Sequence, residues 1–106
     1  MLSIIYTTVP SLHIGRAISK HLLEQKLIAC AHILPAGESL YIWQGKLEIT
    51  GEHILIIKAR SDFFQKIKEQ IARLHPYECP CILEWDIKNS NTSFLQWAIG
   101  LSGEVT

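Results

Sequence analysis

The stretch that decides the fold is SLYIWQGKLEITGEHILIIKAR, from Ser39 to Arg60. Gln44-Gly45 is a reversal signal between two segments rich in β-branched and aromatic residues, a pattern typical of a β-hairpin. The returning strand has its buried part at Ile54 to Ile57, and we expect an interruption at Thr50-Gly51. The predicted hairpin is unusually long. Its outer half would project beyond one small domain, and an exposed apolar arm requires a partner surface, so we expect it to pack on another subunit.

The chain before the hairpin predicts a strand, a helix and a second strand. Leu2 to Val9 is rich in β-branched and aromatic residues and is closed by a proline. Apolar residues then recur at helical spacing from Ser11 to about Gln25. Leu27 to Leu34 is strand-like again, and Pro35-Ala36-Gly37 predicts a break or a bulge before the hairpin.

The chain after the hairpin predicts a helix, a strand and a last helix. A helical repeat capped by Ser61 or Asp62 runs up to Leu74. A strand at Ile82 to Ile87 and a short helix at Thr92 to Ile99 follow. The order is β-α-β-β-α-β plus a terminal helix. It predicts an α+β fold of the ferredoxin-like type, with helices on one face of an antiparallel sheet.

Composition and length bound the function. A chain of 106 residues predicts a single domain over 1–106. Its ten basic residues cancel its ten acidic ones, so no net positive field favours nucleic-acid binding. Leu2 to Val9 lacks the features of a secretion signal, and the longest apolar run is too short to cross a bilayer. We expect a soluble, cytoplasmic protein whose three cysteines are reduced rather than paired in disulfides.

The richest chemistry lies in HPYECPC, from His75 to Cys81. If Cys79 to Cys81 is extended, the two thiols point to the same face. Together they could then bind a soft metal ion such as Cu(I). His75 is near in sequence and completes a candidate metal set. The alternative is a loop made rigid by Pro76 and Pro80, in which His75 makes structural hydrogen bonds.

Cys30 is a further candidate metal ligand, with His32 on the same face of its strand. The competing interpretation is that Cys30, between two alanines, is a small buried apolar residue. Both interpretations stay open at this point.

A cleft or subunit interface has five candidate residues. Tyr41 and Trp43 are aromatic residues of the hairpin, which serve as interface anchors or as pocket walls. Lys46 and Lys58 would receive an anion at a cleft, or would be ordinary surface lysines. Tyr77, in the proline-bracketed loop, completes the set. A Cys-His nucleophilic enzyme is a third class, but the sequence supplies no oxyanion signature, so we expect no enzyme.

Taken together, these blocks resemble the CutA divalent-cation tolerance family. The matching segments are KLIACAHILP from Lys26, SLYIWQGKLE from Ser39, ILIIKAR from Ile54 and HPYECP from His75. The resemblance implies a ferredoxin-like subunit in a tight homotrimer, similar in architecture to the PII signalling proteins. It also implies a cytoplasmic protein linked to tolerance of copper and other divalent metals, without an established reaction. A PII-like module that senses a small anionic ligand is the alternative.

Three positions depart from the family pattern. Gln44 stands where the family commonly has glutamate before the Gly-Lys of the hairpin. Cys81 replaces the usual glutamate after the second proline, which weakens a site for hard cations and strengthens one for soft cations. Thr7 occupies the position of a metal-binding cysteine that some members carry, so that ligand is not transferred to this chain.

Overall fold

A computed structural model describes residues 1–101 of the chain. The elements are β1 (Leu2–Val9), α1 (Leu12–Glu24), β2 (Cys30–Trp43), β3 (Lys46–Arg60), α2 (Phe64–Leu74), β4 (Ile82–Asp86) and α3 (Thr92–Leu101). The four strands form one antiparallel sheet in the order β2-β3-β1-β4. This confirms the predicted ferredoxin-like α+β fold with a terminal helix.

Two helices cover one face of the sheet and build the main core. Ile18 of α1 and Ile67 of α2 pack on Ile5, Leu55 and Ile57, and all five side chains are fully buried. Burying each such side chain contributes about 1.5–3 kcal/mol to stability. The core therefore fixes which face of β1 and β3 turns inward and leaves their other face free to carry a site.

The third helix, the terminal one, for which no face was predicted, lies on the opposite face of the sheet. Ala98 and Phe94 of α3 pack with Leu2 of β1, whose side chain points away from the main core. The ammonium of Lys58 sits 5.5 Å from the centre of the Phe94 ring. Helix α3 covers only this end of the second face, because the hairpin extends far beyond it.

The hairpin turn follows from its two residues. Gln44 and Gly45 have φ angles of +52° and +80°, which match the left-handed conformations of a two-residue turn between twisted strands. The predicted interruption at Thr50-Gly51 is wrong, since β3 runs unbroken and Gly51 pairs with Glu38. Pairing with β2 outweighs the weak strand preference of glycine.

The irregularity lies on β2, as the proline predicted. Leu34 pairs with Ile54 and Gly37 with Glu52, so Pro35 and Ala36 together stand opposite the single residue His53. This is a β-bulge. Beyond it the odd-numbered residues of β2 share a face with the even-numbered residues of β3, so the bulge decides which hairpin side chains meet.

Several element boundaries differ from the prediction, among them the end of β4, which lies at Asp86 rather than Ile87. Strand β2 begins at Cys30 rather than Leu27, because Lys26 and Leu27 donate their amide hydrogens to Leu23 and Leu22 and close the end of α1. Neither Ser61 nor Asp62 caps α2. Ser61 instead opens a 3₁₀ turn (Ser61–Phe63), and the Asp62 carboxylate pairs with the Arg60 guanidinium at 2.7 Å.

The last boundary concerns the predicted stop at Gly100, where α3 continues to Leu101 instead. The expected tail, beyond residue 101, lies outside the described residues. No helix within residues 1–101 combines the length and the hydropathy needed to cross a bilayer.

The outer hairpin makes the molecule long. Its extents are 49 × 26 × 23 Å and its radius of gyration is 14.5 Å, against about 13 Å for a compact domain of this size. One face of this arm carries four aliphatic side chains in two cross-strand pairs, Leu40 with Ile49 and Ile42 with Leu47. Their exposures are 62%, 58%, 67% and 65%. We call these four residues the apolar face of the arm.

Candidate functional site

A cleft of about 760 Å³ lies between the arm and the loop that joins α2 to β4. We call it the arm–loop cleft. Its lining comes from β1, from both strands of the hairpin and from the loop: Tyr6, Thr8, Ser39, Tyr41, Trp43, Glu48, Glu52, Pro76, Tyr77, Glu78, Cys79 and Cys81. The structure thus brings together Tyr41, Trp43, Tyr77, Cys79 and Cys81 of the residues predicted from the sequence.

Register explains the arm's contribution to this cleft. Because of the bulge, Ser39 and Tyr41 stand on the same face as Glu48 and Glu52. The Tyr41 hydroxyl lies 3.0 Å from the Thr50 hydroxyl, which anchors the ring against β3. Trp43 pairs with Lys46 at the end of the arm and is 41% exposed. The cleft is therefore aromatic toward its outer end.

Glu52 is the residue that sequence reasoning missed. Its side chain is 7% exposed. Its Oε1 accepts a 2.5 Å hydrogen bond from the Ser39 hydroxyl, and its Oε2 accepts a 2.6 Å bond from the Tyr77 hydroxyl. The only signal in the sequence is a carboxylate two residues before the run of aliphatic residues that starts at Ile54.

The network at Glu52 changes the acidity of Tyr77. Partial burial, the hydrogen bond to Glu52 and the charge of that carboxylate raise the pKa of the Tyr77 hydroxyl well above its usual 10.0. Tyr77 therefore keeps its proton and remains a hydrogen-bond donor to Glu52 across the neutral range. The bond ties the loop to β3.

His75 ends α2 and orders the start of the loop. Its Nε2–H donates to the Thr8 carbonyl at 2.7 Å, and its Nδ1 accepts the Tyr77 amide hydrogen at 3.1 Å. The ring is 7% exposed and lies 4.6 Å from the Tyr77 ring, centre to centre. These contacts agree with the structural role that was the alternative at this position, since both ring nitrogens are already engaged.

Cys79 and Cys81 are exposed free thiols on the wall of the cleft. Partial burial, the charge of Glu52 and the charge of Cys79 raise the pKa of the Cys81 thiol. A cation bound between them would favour the thiolates that their mutual repulsion disfavours.

The remaining predicted site residues lie elsewhere. Cys30 is half-buried at the start of β2, opposite Lys58. Lys58 is covered by Phe94, and Lys46 begins β3 beside the turn. None of the three lines the arm–loop cleft. Within residues 1–101, no three His, Cys, Asp or Glu side chains of one chain stand close enough together to hold a metal ion.

Comparison with known proteins identifies the family of the chain. The family profile described as "CutA1 divalent ion tolerance protein" matches residues 3–100. The chain belongs to the CutA1 divalent ion tolerance family. This CutA chain is 40% identical over 96 residues to the "Divalent-cation tolerance protein CutA" of Pyrococcus horikoshii. The match covers 91% of this chain and 93% of that protein.

Solved CutA structures share the fold. The "Divalent cation tolerance protein (Cut A1)" of Thermus thermophilus has a TM-score of 0.93 and 37% identity, covering 97% of this chain and all of that one. The "Periplasmic divalent cation tolerance protein CutA" of Archaeoglobus fulgidus has a TM-score of 0.89 and 38% identity, covering 92% of this chain and 95% of that one. The CutA resemblance noted in the sequence is confirmed.

Proposed function

We propose that this CutA protein binds copper, or another divalent or soft metal ion, as a homotrimer, and so contributes to tolerance of that ion. The observation that carries the proposal is the pair of exposed thiols, Cys79 and Cys81, which both line the arm–loop cleft. Thiolates are the side chains that Cu(I) prefers, and Zn²⁺ also takes them. The family names of the relatives support the same role.

Cys79 and Cys81 are better candidates for metal ligands than the other two predicted residues. Cys30 lies outside the cleft, and the two ring nitrogens of His75 are engaged by Thr8 and Tyr77. A two-coordinate Cu(I) needs no third protein ligand, so the pair suffices for it. Because the pKa of Cys81 is raised, metal binding must release a proton, and affinity for the metal should rise with pH.

The experiment is an anaerobic Cu(I) competition titration against a colorimetric chelator. We expect one Cu(I) per chain, and an affinity about 100-fold weaker or worse in Cys79→Ser/Cys81→Ser, because changes behind the ligands alone cost about 10–100-fold. The matched control is Cys30→Ser, which should retain the affinity of the parent protein. An unchanged affinity in the double variant would reject the thiol site.

The homotrimer is supported by the apolar face of the arm. Its four aliphatic side chains are more than half exposed and adjoin each other across the two strands. A contiguous apolar patch on a projecting hairpin is a typical protein-binding surface. A second copy of the chain covers it in this proposal. Native mass spectrometry at micromolar concentration should show a mass three times that of one chain.

We propose a binding protein rather than an enzyme, located in the cytoplasm. His75 cannot serve as a base for either cleft thiol while both of its nitrogens are occupied. A reducing compartment keeps Cys79 and Cys81 as thiols. Cell fractionation with alkylation of free thiols tests the location. Recovery of the protein from an oxidising compartment with blocked thiols would contradict it.

A further inference from the structure

We propose that the arm–loop cleft also binds a small organic ammonium ion, held by the Glu52 carboxylate and by the aromatic rings of the arm. This inference uses the carboxylate and the aromatic wall, and it does not depend on the thiols or on metal binding. It also differs in sign from the anion that the alternative sequence interpretation assigned to Lys46 and Lys58.

Glu52 is a buried acidic residue in the lining of the arm–loop cleft. The residue is only 7% exposed, yet the partners of its carboxylate, Ser39 and Tyr77, are both neutral hydroxyls. Among residues 1–101 of one chain, the one ion pair is Arg60 with Asp62, so no lysine or arginine of the same chain neutralises Glu52. A buried charge without an opposite charge is costly. A ligand cation would supply the missing partner.

The charged residues that line the cleft are all acidic. Three carboxylates line it, those of Glu48, Glu52 and Glu78, and no lysine or arginine does. The two lysines predicted to receive an anion lie outside the lining. The lining therefore carries a net negative charge that favours cations, with Lys46 beside Trp43 at its outer edge.

The aromatic residues of the lining indicate which kind of cation the cleft would bind. Tyr6, Tyr41 and Trp43 line the same cleft, and Tyr41 and Trp43 keep 42% and 41% of their surface exposed. Aromatic rings attract ammonium groups, and rings beside a carboxylate are a recurring way to bind them. The volume of about 760 Å³ is that of a site for a small organic molecule rather than for a bare ion.

The test uses choline as the probe and 3,3-dimethyl-1-butanol as its uncharged isostere. Both are titrated calorimetrically into the oligomeric protein with EDTA present, in the parent and in Cys79→Ser/Cys81→Ser. We expect choline to bind and to raise the melting temperature, and the isostere and inorganic phosphate to do neither. Because the double serine variant lacks the thiols, a failure of the copper proposal leaves this result unaffected, and the reverse also holds.

Two variants locate the site. Glu52→Gln removes the charge and keeps one acceptor oxygen, while its amide NH2 can donate to the second hydroxyl, and it should weaken choline binding at least tenfold. Trp43→Leu changes an exposed residue, so the fold is retained, and it should weaken binding by about 2- to 30-fold. Glu24→Gln, on the surface of α1, is the matched control and should bind as the parent does.

Three results would overturn the proposal. One is equal binding of choline and its isostere, which would show an apolar pocket without charge selectivity. Another is stabilisation by phosphate and not by choline, which would restore the anion interpretation. The third is choline affinity that neither Glu52→Gln nor Trp43→Leu changes, which would place the ligand outside the arm–loop cleft.

Discussion

The apolar face of the arm yields the most quantitative prediction. Ile42 and Leu47 are directly opposite each other and are 67% and 65% exposed in the single chain. Fully burying such a side chain is worth about 1.5–3 kcal/mol, so covering the exposed two thirds contributes about 1–2 kcal/mol each. Replacing both with serine should remove about 2–4 kcal/mol per arm. Association should weaken about 30- to 700-fold for each arm that packs on a neighbour.

Sedimentation velocity over a range of concentrations measures this effect. The parent protein should sediment as a trimer at micromolar concentration, and Ile42→Ser/Leu47→Ser as a monomer with unchanged circular dichroism, because neither residue belongs to the core. Leu23→Ser is the matched control, since Leu23 is a 44% exposed leucine on the outside of α1. A parent that sediments as a monomer, or a double variant that stays trimeric, would refute the reasoning.

Two further predictions concern the Glu52 network. Unfolded Tyr77 ionises near pH 10, while the raised pKa in the folded chain keeps its proton, so stability should fall above pH 10 by up to about 1.4 kcal/mol per pH unit. Chemical denaturation should show this slope reduced in Tyr77→Phe; an identical slope would contradict it. Glu52→Gln should lower the pKa of Cys81 and speed its alkylation at neutral pH, measured by peptide mass spectrometry. Glu24→Gln is the control, and an unchanged rate would contradict the effect of Glu52.

The fold could be predicted because its decisive signals are local. The turn at Gln44-Gly45 and the proline at the bulge each act within a few residues. The same method failed where a distant partner decides the outcome. Thr50-Gly51 reads as a break, but pairing with β2 keeps β3 continuous there. Ser61 reads as a helix cap, but its hydroxyl instead bonds to that of Ser3, 58 residues away.

The candidate site was predicted in its parts and missed at its centre for the same reason. The thiols of the loop and the aromatic residues of the hairpin could be proposed as site residues from their side-chain chemistry alone. Glu52 acquires its role only through Ser39 and Tyr77, which are 13 and 25 residues away. A single glutamate in a strand usually faces solvent. No local pattern distinguishes this one from Glu48, which is less buried on the same strand.

The bulge connects the fold to the site. Had β2 continued from Leu34 without the extra residue, its even-numbered side chains would have stayed opposite those of β3. Leu40 and Ile42 would then lie on the same face as Glu48 and Glu52, with Leu40 directly opposite Glu48. Tyr41 would lie on the other side, among aliphatic side chains.

One additional residue therefore sorts the arm into two surfaces of different chemistry. The aliphatic surface suits another protein chain, and the aromatic and acidic surface suits a small cation. If the register between β2 and β3 changed, both surfaces would change together. The proposed interface and the proposed ligand site thus both depend on one irregularity at Pro35-Ala36.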